Sequence, residues 1–308
     1  MTTFRIGVLV ALRPQAPKKN HLQVITHDQT YKLVYGQHLS KTDQYPCLLE
    51  GEPVDALYDR FPYQRAAYCD PLPFDTLIPI INPRSISNLC KDKWALQQLM
   101  ETHDIPMPKI CRSHFEAHLK AWKKAVAKPQ FGSFGKGIQI VQRPPTPTLP
   151  SVVGEDPTLL QEWIAPPKPW AGICVRQLIQ RTPKQTWCLR TPVARLSKDD
   201  PIVNAARGAQ VLPAKNILPS QTIVELQNLS LKIIHTLSLQ PEGEFLMEVG
   251  ADFVIDKDWR PWFIEVNAQP RGKLKALAKE PSFLKEHHEI LRAPFRFLCA
   301  KLQHMRDT

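Results

Sequence analysis

The stretch Glu248–Lys273, EVGADFVIDKDWRPWFIEVNAQPRGK, decides how the rest of the chain is read. Asp252 to Asp256 alternates polar and apolar residues, as a half-buried strand does. Asp256-Lys257-Asp258 and Pro261 mark a turn, and Trp262 to Val266 returns as a second strand. Side chains two apart on a strand share a face, so Glu265 and Asn267 converge, with Asp252 near the same end of the hairpin. Two carboxylates and an amide oxygen are hard ligands that suit Mg2+ holding nucleotide phosphates. Taken alone, the pair reads more readily as a surface hairpin with solvated acids than as a site; what lies upstream overturns that.

Immediately upstream in importance is AVAKPQFGSFGKGIQIV. A strand from Ala125 to Lys128 leads into a turn with Gly132, Gly135 and Gly137, then a strand from Ile138 to Val141. Such glycines let backbone N–H groups approach phosphate oxygens. It is not a P-loop, since GxxxxGK[ST] is absent and a strand follows, and a Rossmann fingerprint fails for want of the receiving helix. Lys128 sets a cation beside the loop. In INPRSISNLCKDKWALQQLMETHDIPMPK, Asp92 is an N-cap and Ala95, Leu96, Leu99 and Met100 give a helical face, ended by Pro106 and Pro108. Lys93 sits in the first turn against the helix dipole, a hint that its charge serves a ligand. Ser113 and Glu116 form a capping box for a helix to about Lys124. Cys111, His114 and His118 also have a metal-ligand spacing, but lack a fourth ligand.

LLQEWIAPP (159–167) reads as a buried strand, in which Glu162 either accepts hydrogen bonds from a ligand or stands as an edge-strand acid. Ile173 to Gln180 and Thr186 to Leu196 read as antiparallel strands carrying Arg176 and Arg195, which can clamp phosphate or carboxylate or remain surface charge. Asn204 and Gly208 follow. A helix starts at Ser220 and runs to about Leu239. A last helix, capped by Ser282, breaks near Pro294. The N-terminal part gives strands at Ile6–Leu12, 22–26, Tyr31–Val34, Val54–Tyr58 and 77–81.

The chain has 308 residues, 43% of them hydrophobic, enough for a large core in a soluble globular protein. No run reaches the roughly eighteen apolar residues of a membrane helix, and the apolar start is read as a buried strand rather than a signal peptide. Seven scattered cysteines, with no CxxC pair, indicate reduced thiols in the cytosol. A net charge of +11 points to an anionic partner, and without basic runs or a nucleic-acid motif that partner is small rather than a duplex. Thirty prolines against twelve glycines imply rigid connections, among them RPPTPTLP at 143–150.

In order, KDKW (Lys91–Trp94), the KPxxGSxGKGI-like loop (Lys128–Ile138), QEWI (Gln161–Ile164), Val175-Arg176, Ala194-Arg195, NAARG (204–208), AxDFVID (Ala251–Asp256) and FIEVNxxP (Phe263–Pro270) resemble the ATP-grasp superfamily over roughly residues 83 to 275. LYDRFPYQR (57–65) and the following IN and DKW make the chain similar to its YheC/YheD endospore coat-associated type. The resemblance implies an α/β (α+β) ATP-grasp fold: a small N-terminal α/β domain (1–83), a subdomain with the glycine-rich loop (84–165) and one with the metal hairpin (166–308). It implies that Lys93 and Lys128 contact ATP phosphates under a loop that includes Ser133, Gly135 and Gly137. Glu162 and the Trp163–Ile164 backbone would read adenine, with Gln161 beside them among the cofactor-binding residues, and Asp252, Glu265 and Asn267 would hold Mg2+, or Mn2+ in its place. Arg195 and Asn204 would face the γ-phosphate and an acyl phosphate, with Arg176 and Arg271 nearer the acceptor. Where the family has Asp two before the arginine, this chain has Cys174.

The implied activity is ATP-dependent ligation of a carboxylate to an amine or thiol, in a cytoplasmic protein with a spore-coat association by family resemblance. The other readings are a small-molecule kinase on the same fold and a non-catalytic spore-coat ATP-binding protein. The charge, with Arg60, Arg65, Arg207 and Arg271 as spare arginines, suggests an acidic amino acid, peptide or cell-wall-like polymer as substrate. A homodimer is among the assemblies left open.

Overall fold

FRIGVL (Phe4–Leu9, β1) is almost wholly buried, as suits a strand covered on both faces. A computed structural model describes residues 3–10, 31–60, 78–132, 137–142, 152–153, 156–203, 208–270 and 275–308. The expected strand at 22–26 and the proline-rich connection at 143–150 lie outside them. β1 is paired in parallel with β2 (Tyr31–Gly36) and with β6 (Ala56–Asp59), and β6 with β7 (Ile80–Ile81). A small antiparallel sheet of β3 (Leu39–Ser40), β4 (Leu48–Leu49) and β5 (Glu52–Pro53) brings Cys47 and Leu49 against Leu9 and Leu57 on one side. The other side packs on Ala293, Phe297, Leu298 and Leu302 of the last helix.

Two helices follow, α1 (Arg84–Lys91) and α2 (Lys93–Glu101). Asp92 between them caps α2, its Oδ1 accepting from the amides of Trp94 at 3.0 Å and Ala95 at 3.1 Å. A five-stranded sheet is ordered β10 (Gln139–Gln142), β9 (Lys124–Pro129), β12 (Asp156–Glu162), β11 (Val152–Val153), with β8 (Ile110–Cys111) also on β12. The strand period divides its faces: Ala125, Ala127 and Leu160 pack with Leu119 of α3 (Phe115–Trp122), which leaves Val126, Lys128 and Gln161 on the other. The expected Ser113 capping box does not form. His114 takes the cap position in the left-handed region, φ 54°, and no side chain caps the helix.

The largest sheet runs β16 (Gln210–Pro213), β15 (Val193–Ser197), β13 (Gly172–Arg181), β17 (Glu248–Ile255), β18 (Pro261–Asn267), with β14 (Trp187–Leu189) also on β13. The single strand expected over 186–196 is thus two. Pro192 lies between them, and proline cannot donate to a ladder. One face is apolar: Ile173, Val175, Val249, Ala251, Phe253 and Phe263 meet Leu226, Ile233, Ile234 and Leu237 of α4 (Ser220–Ser238). The same core takes in Ile86, Cys90, Leu96 and Met100 of α1 and α2. Burying each large apolar side chain contributes about 1.5–3 kcal/mol, so this layer dominates the fold. Polar residues were left for the opposite face.

The last helix, α5 (Pro281–Asp307), runs unbroken through Pro294, against expectation, and no side chain caps its start at Glu280. A proline at this position frees the carbonyl four residues back, that of Ile290. Buried Gln180 fills that vacancy, its Nε2 donating to the Ile290 carbonyl at 3.0 Å. Buried Ile290, Phe297 and Leu298 hold both halves of the helix down.

Candidate functional site

The polar face of the large sheet and the Val126–Lys128–Gln161 face of the five-stranded sheet line one cavity of about 450 Å3, within the usual range for small-molecule sites. Val126, Ile138, Ile140 and Ile164 make part of its wall apolar. Lys93, Lys128, Arg176, Arg195, Asp252, Glu265 and Asn267 also line it, as do Gln161, Glu162 and Trp163. Residues separated by as much as 174 positions in sequence, Lys93 and Asn267, thus share one chamber.

Strand register accounts for the cationic and acidic wall. Arg176 lies opposite Asp252, Cys174 opposite Arg195, Asp252 opposite Glu265 and Gly250 opposite Asn267. A bulge after Asp252 shifts the rest of the hairpin without breaking the Asp252–Glu265 pair. The turn is set by Asp256, whose Oδ1 accepts from Asp258 and Arg260 amides and whose Oδ2 accepts from Trp262 Nε1. Arg176 grips Asp252 with two parallel hydrogen bonds, Nε to Oδ1 at 2.6 Å and Nη2 to Oδ2. Burial alone would push the guanidinium down, but the charge and hydrogen bonds of Asp252 hold it above the ordinary arginine value. Gly250 makes room for this pair: a Cβ there would sit 3.3 Å from both Arg176 Cδ and Pro270 Cβ. Asn267 Oδ1 accepts from the Gln269 amide at 2.9 Å, which fixes its carboxamide.

Across the cavity, Lys128 is 4% exposed, and its ammonium donates to Gln161 Oε1 at 3.0 Å. Burial first, then the charge of Lys93, pushes it down to about 7, while Glu265 pulls the other way. Gln161 Nε2 is buried without a hydrogen-bond partner among the described residues. Lys93 donates to the Gly132 carbonyl at 2.9 Å, and Gln130 Nε2 donates to Asp92 Oδ1 at 2.8 Å, so the start of α2 is tied to the end of β9. The Trp163 amide donates to the Lys124 carbonyl at 3.3 Å, and its ring lies 4.2 Å from the Lys124 ammonium. Burial, then Asp252, pushes the Cys174 thiol up to about 12, so it stays neutral at physiological pH.

Gly137 is described, with φ 72°, but is not among the residues lining the cavity. Ser133, Gly135, Asn204 and Arg271 lie outside the described residues, as do Arg65 and Arg207. Arg60 is not a spare arginine: it donates to Glu248 Oε1 at 3.4 Å and to the Pro270 carbonyl at 3.1 Å. Gly172, Pro201, Ile202 and Val203 also line the cavity, none of them assigned from sequence. A Cβ on Gly172 would come 2.4 Å from Val203 Cγ2, so that glycine lets the 201–203 segment close on the strand. Nor was a role assigned to Glu248, although it shares the face of Gly250 and Asp252 by the period of two.

Among the described residues no three His, Cys, Asp or Glu side chains are grouped to hold a metal. The donors present are Glu265, Asn267 and Asp252, the last shared with Arg176. This set suits a hard cation that completes its shell with phosphate oxygens and water, as Mg2+ does.

Residues 147–299 match the model of the YheC/D like ATP-grasp family. No curated protein matches the sequence. Among solved structures, D-alanyl-alanine synthetase A from Vibrio cholerae is 12% identical, with 97% of this chain and 99% of that one covered and a TM-score of 0.66. The D-alanine-D-alanine ligase from Coxiella burnetii is 10% identical, with 99% and 96% covered and a TM-score of 0.66. N5-carboxyaminoimidazole ribonucleotide synthetase from Thermotoga maritima is 12% identical, with 79% of this chain covered and a TM-score of 0.53; the chain spans 59% of that protein's length. At such identities the likeness is one of fold. Residues 147–299, just under half of the chain, are thus similar to the YheC/D-like ATP-grasp proteins, and the chain as a whole shares the fold of the ATP-grasp ligases.

Proposed function

We propose that the protein is an ATP- and Mg2+-dependent ligase that joins a carboxylate to an amine through an acyl phosphate. The observation that carries this reading is the meeting of Lys93, Lys128, Arg176 and Arg195 with Asp252, Glu265 and Asn267 in one chamber with apolar walls. The apolar side takes the base, with Gln161, Glu162 and the Ile164 backbone at its edge. Lys93 and Lys128 neutralise phosphate charge. Glu265, Asn267 and Asp252 hold the cation, which supplies charge neutralisation of the nucleotide phosphates when bound.

A substrate carboxylate oxygen bonds to the γ-phosphorus as the bond to the ADP oxygen breaks, which leaves an acyl phosphate and ADP. The amine nitrogen then bonds to the carbonyl carbon, the carbon–oxygen bond to phosphate breaks, and a proton leaves the nitrogen. Neither step needs a protein nucleophile, in keeping with the neutral Cys174 thiol. Arg195 with Asn204 serves the transferring phosphoryl group, and Arg176 with Arg271 the acceptor side. Fixed positive charge aimed where anionic charge develops is the main source of rate in such transfers. The net charge of +11 supports an acidic amino acid, peptide or cell-wall-like polymer as substrate.

Calorimetry with Mg·ATP, followed by a phosphate-release screen of paired carboxylates and amines with mass spectrometry of the products, tests the reading. Mg-dependent nucleotide binding and a condensed product are expected. A stable phosphorylated product formed without an amine means a kinase, and no nucleotide binding removes both.

A further inference from the structure

Asn82 belongs to the N-terminal part of the chain yet is 4% exposed and spends its whole carboxamide on the metal hairpin. Its Nδ2 donates to the carbonyls of Glu248, at the start of β17, and Ala268, just past the end of β18. Its Oδ1 accepts from the amides of Met247 at 2.8 Å and Glu248 at 3.2 Å. One side chain thus bridges the two hairpin strands at their open end, beyond the last ladder pair, Gly250 with Asn267.

The same end receives two further contacts from β6 and the residue after it. Arg60 donates to the Pro270 carbonyl at 3.1 Å, and Gln269 Nε2 donates to the Asp59 carbonyl at 3.2 Å. Ala268, Gln269 and Pro270 are therefore each held by the N-terminal sheet, directly after Asn267 and three to five residues after Glu265. Below them, Glu248 is 1% exposed and accepts from Tyr58 Oη at 2.5 Å and Gln180 Nε2 at 2.8 Å, which anchors the bridge in the core.

We infer that Asn82, seconded by Arg60, is a positioning residue that keeps the exit of β18 in place so that Asn267 and Glu265 stay aimed into the cavity. Its two donations hold the Glu248 and Ala268 carbonyls together, and without them the segment carrying the Asn267 side-chain hydrogen bond would relax. The N-terminal sheet then sets metal-dependent nucleotide binding without touching the nucleotide. This rests on the nucleotide and Mg2+ reading given above.

The test is calorimetry of the full chain with ADP, in Mg2+ and in EDTA, for wild type, Asn82→Asp and Arg60→Met. Asn82→Asp keeps the acceptor and loses both donations; Arg60→Met, at a side chain 19% exposed, releases Pro270 and leaves Glu248 to its hydrogen bonds from Tyr58 and Gln180. Affinity in EDTA should be unchanged in both variants, because Val126, Ile140 and Gln161 are untouched. The gain conferred by Mg2+ should fall by about 10- to 100-fold in Asn82→Asp, as for partners just outside a metal's ligands, and by less in Arg60→Met. If Asn82→Asp does not fold, Arg60→Met decides. An intact Mg2+ gain in the folded variants, or an equal loss in both buffers, overturns the inference alone. Wild type that binds ADP in neither buffer removes the site reading, and the inference with it.

Discussion

Replacing Lys128 with Met should remove a pH dependence of stability that the wild-type protein carries. The lysine is buried, its folded-state pKa is pushed from 10.5 down to about 7, and its listener is a neutral amide, Gln161, rather than an acid. For a base with a depressed folded pKa, the unfolded chain binds more protons between about 7 and 10.5. Stability therefore rises with pH across that window. Below it the cost of a buried ammonium is fully present, and above it the cost is gone. Three and a half pH units at about 1.4 kcal/mol each set a ceiling of about 5 kcal/mol. The realised figure is smaller, because buried sites respond with an effective dielectric well above that of a dry interior. The assay is urea unfolding of ligand-free wild type and Lys128→Met at pH 6, 7, 8 and 9. The variant also leaves Gln161 Oε1 without its donor, an offset of about 1–3 kcal/mol that does not vary with pH. The slope is therefore the quantity compared. Wild type should gain up to about 2.7 kcal/mol on the variant between pH 7 and pH 9. Parallel curves would refute a proton equilibrium at Lys128.

Glu265→Gln should keep its circular dichroism and its metal-free nucleotide affinity but lose the Mg2+ enhancement; an unaltered enhancement removes Glu265 from the cation's ligands. Arg176→Met should cost about 3–5 kcal/mol in urea unfolding, because Asp252, 5% exposed, is left with a buried and unpaired charge. Adding Asp252→Asn should recover most of that loss, and additivity of the two changes would show that the pair is not coupled. Gly243→Ala would bring a Cβ to 2.0 Å from the Ser238 carbonyl oxygen. The forced backbone shift should cost about 1–3 kcal/mol, read as a lower thermal midpoint.

The hairpin was legible because its turn carries its own chemistry in Asp256; its first strand is buried on both faces rather than half-buried, and a bulge after Asp252 interrupts the period of two. Asp92 was legible as a cap for the same local reason. The site's far-apart residues, Lys93 to Asn267, could be brought together only through the resemblance of the whole ordered set. No local rule spans that distance. What escaped was non-local. Ser113 fits a capping box in sequence, yet the pairing of Ile110 and Cys111 with β12 leaves His114 at the cap. Pro294 signals a break only while the partner for the Ile290 carbonyl, Gln180, is out of sight. Helix α1 went unread because its apolar residues face a core built from strands far along the chain. Arg60 looked spare until Glu248 and Pro270 met it from some 190 to 210 positions away.

The joining of β1 to α5 has a consequence for how the protein is made. Phe4, Ile6 and Tyr31 at the start of the chain share a core with Phe297, Leu298 and Leu302 near its end. During synthesis at about 5–20 residues per second, that face of the first sheet stays uncovered for roughly fifteen seconds to a minute. Contacts of such wide sequence separation close late, so the N-terminal sheet emerges first yet is completed last. A chain shortened before Phe297 should display this apolar face and gather chaperones or aggregate, even with every lysine, arginine and acid of the cavity still present.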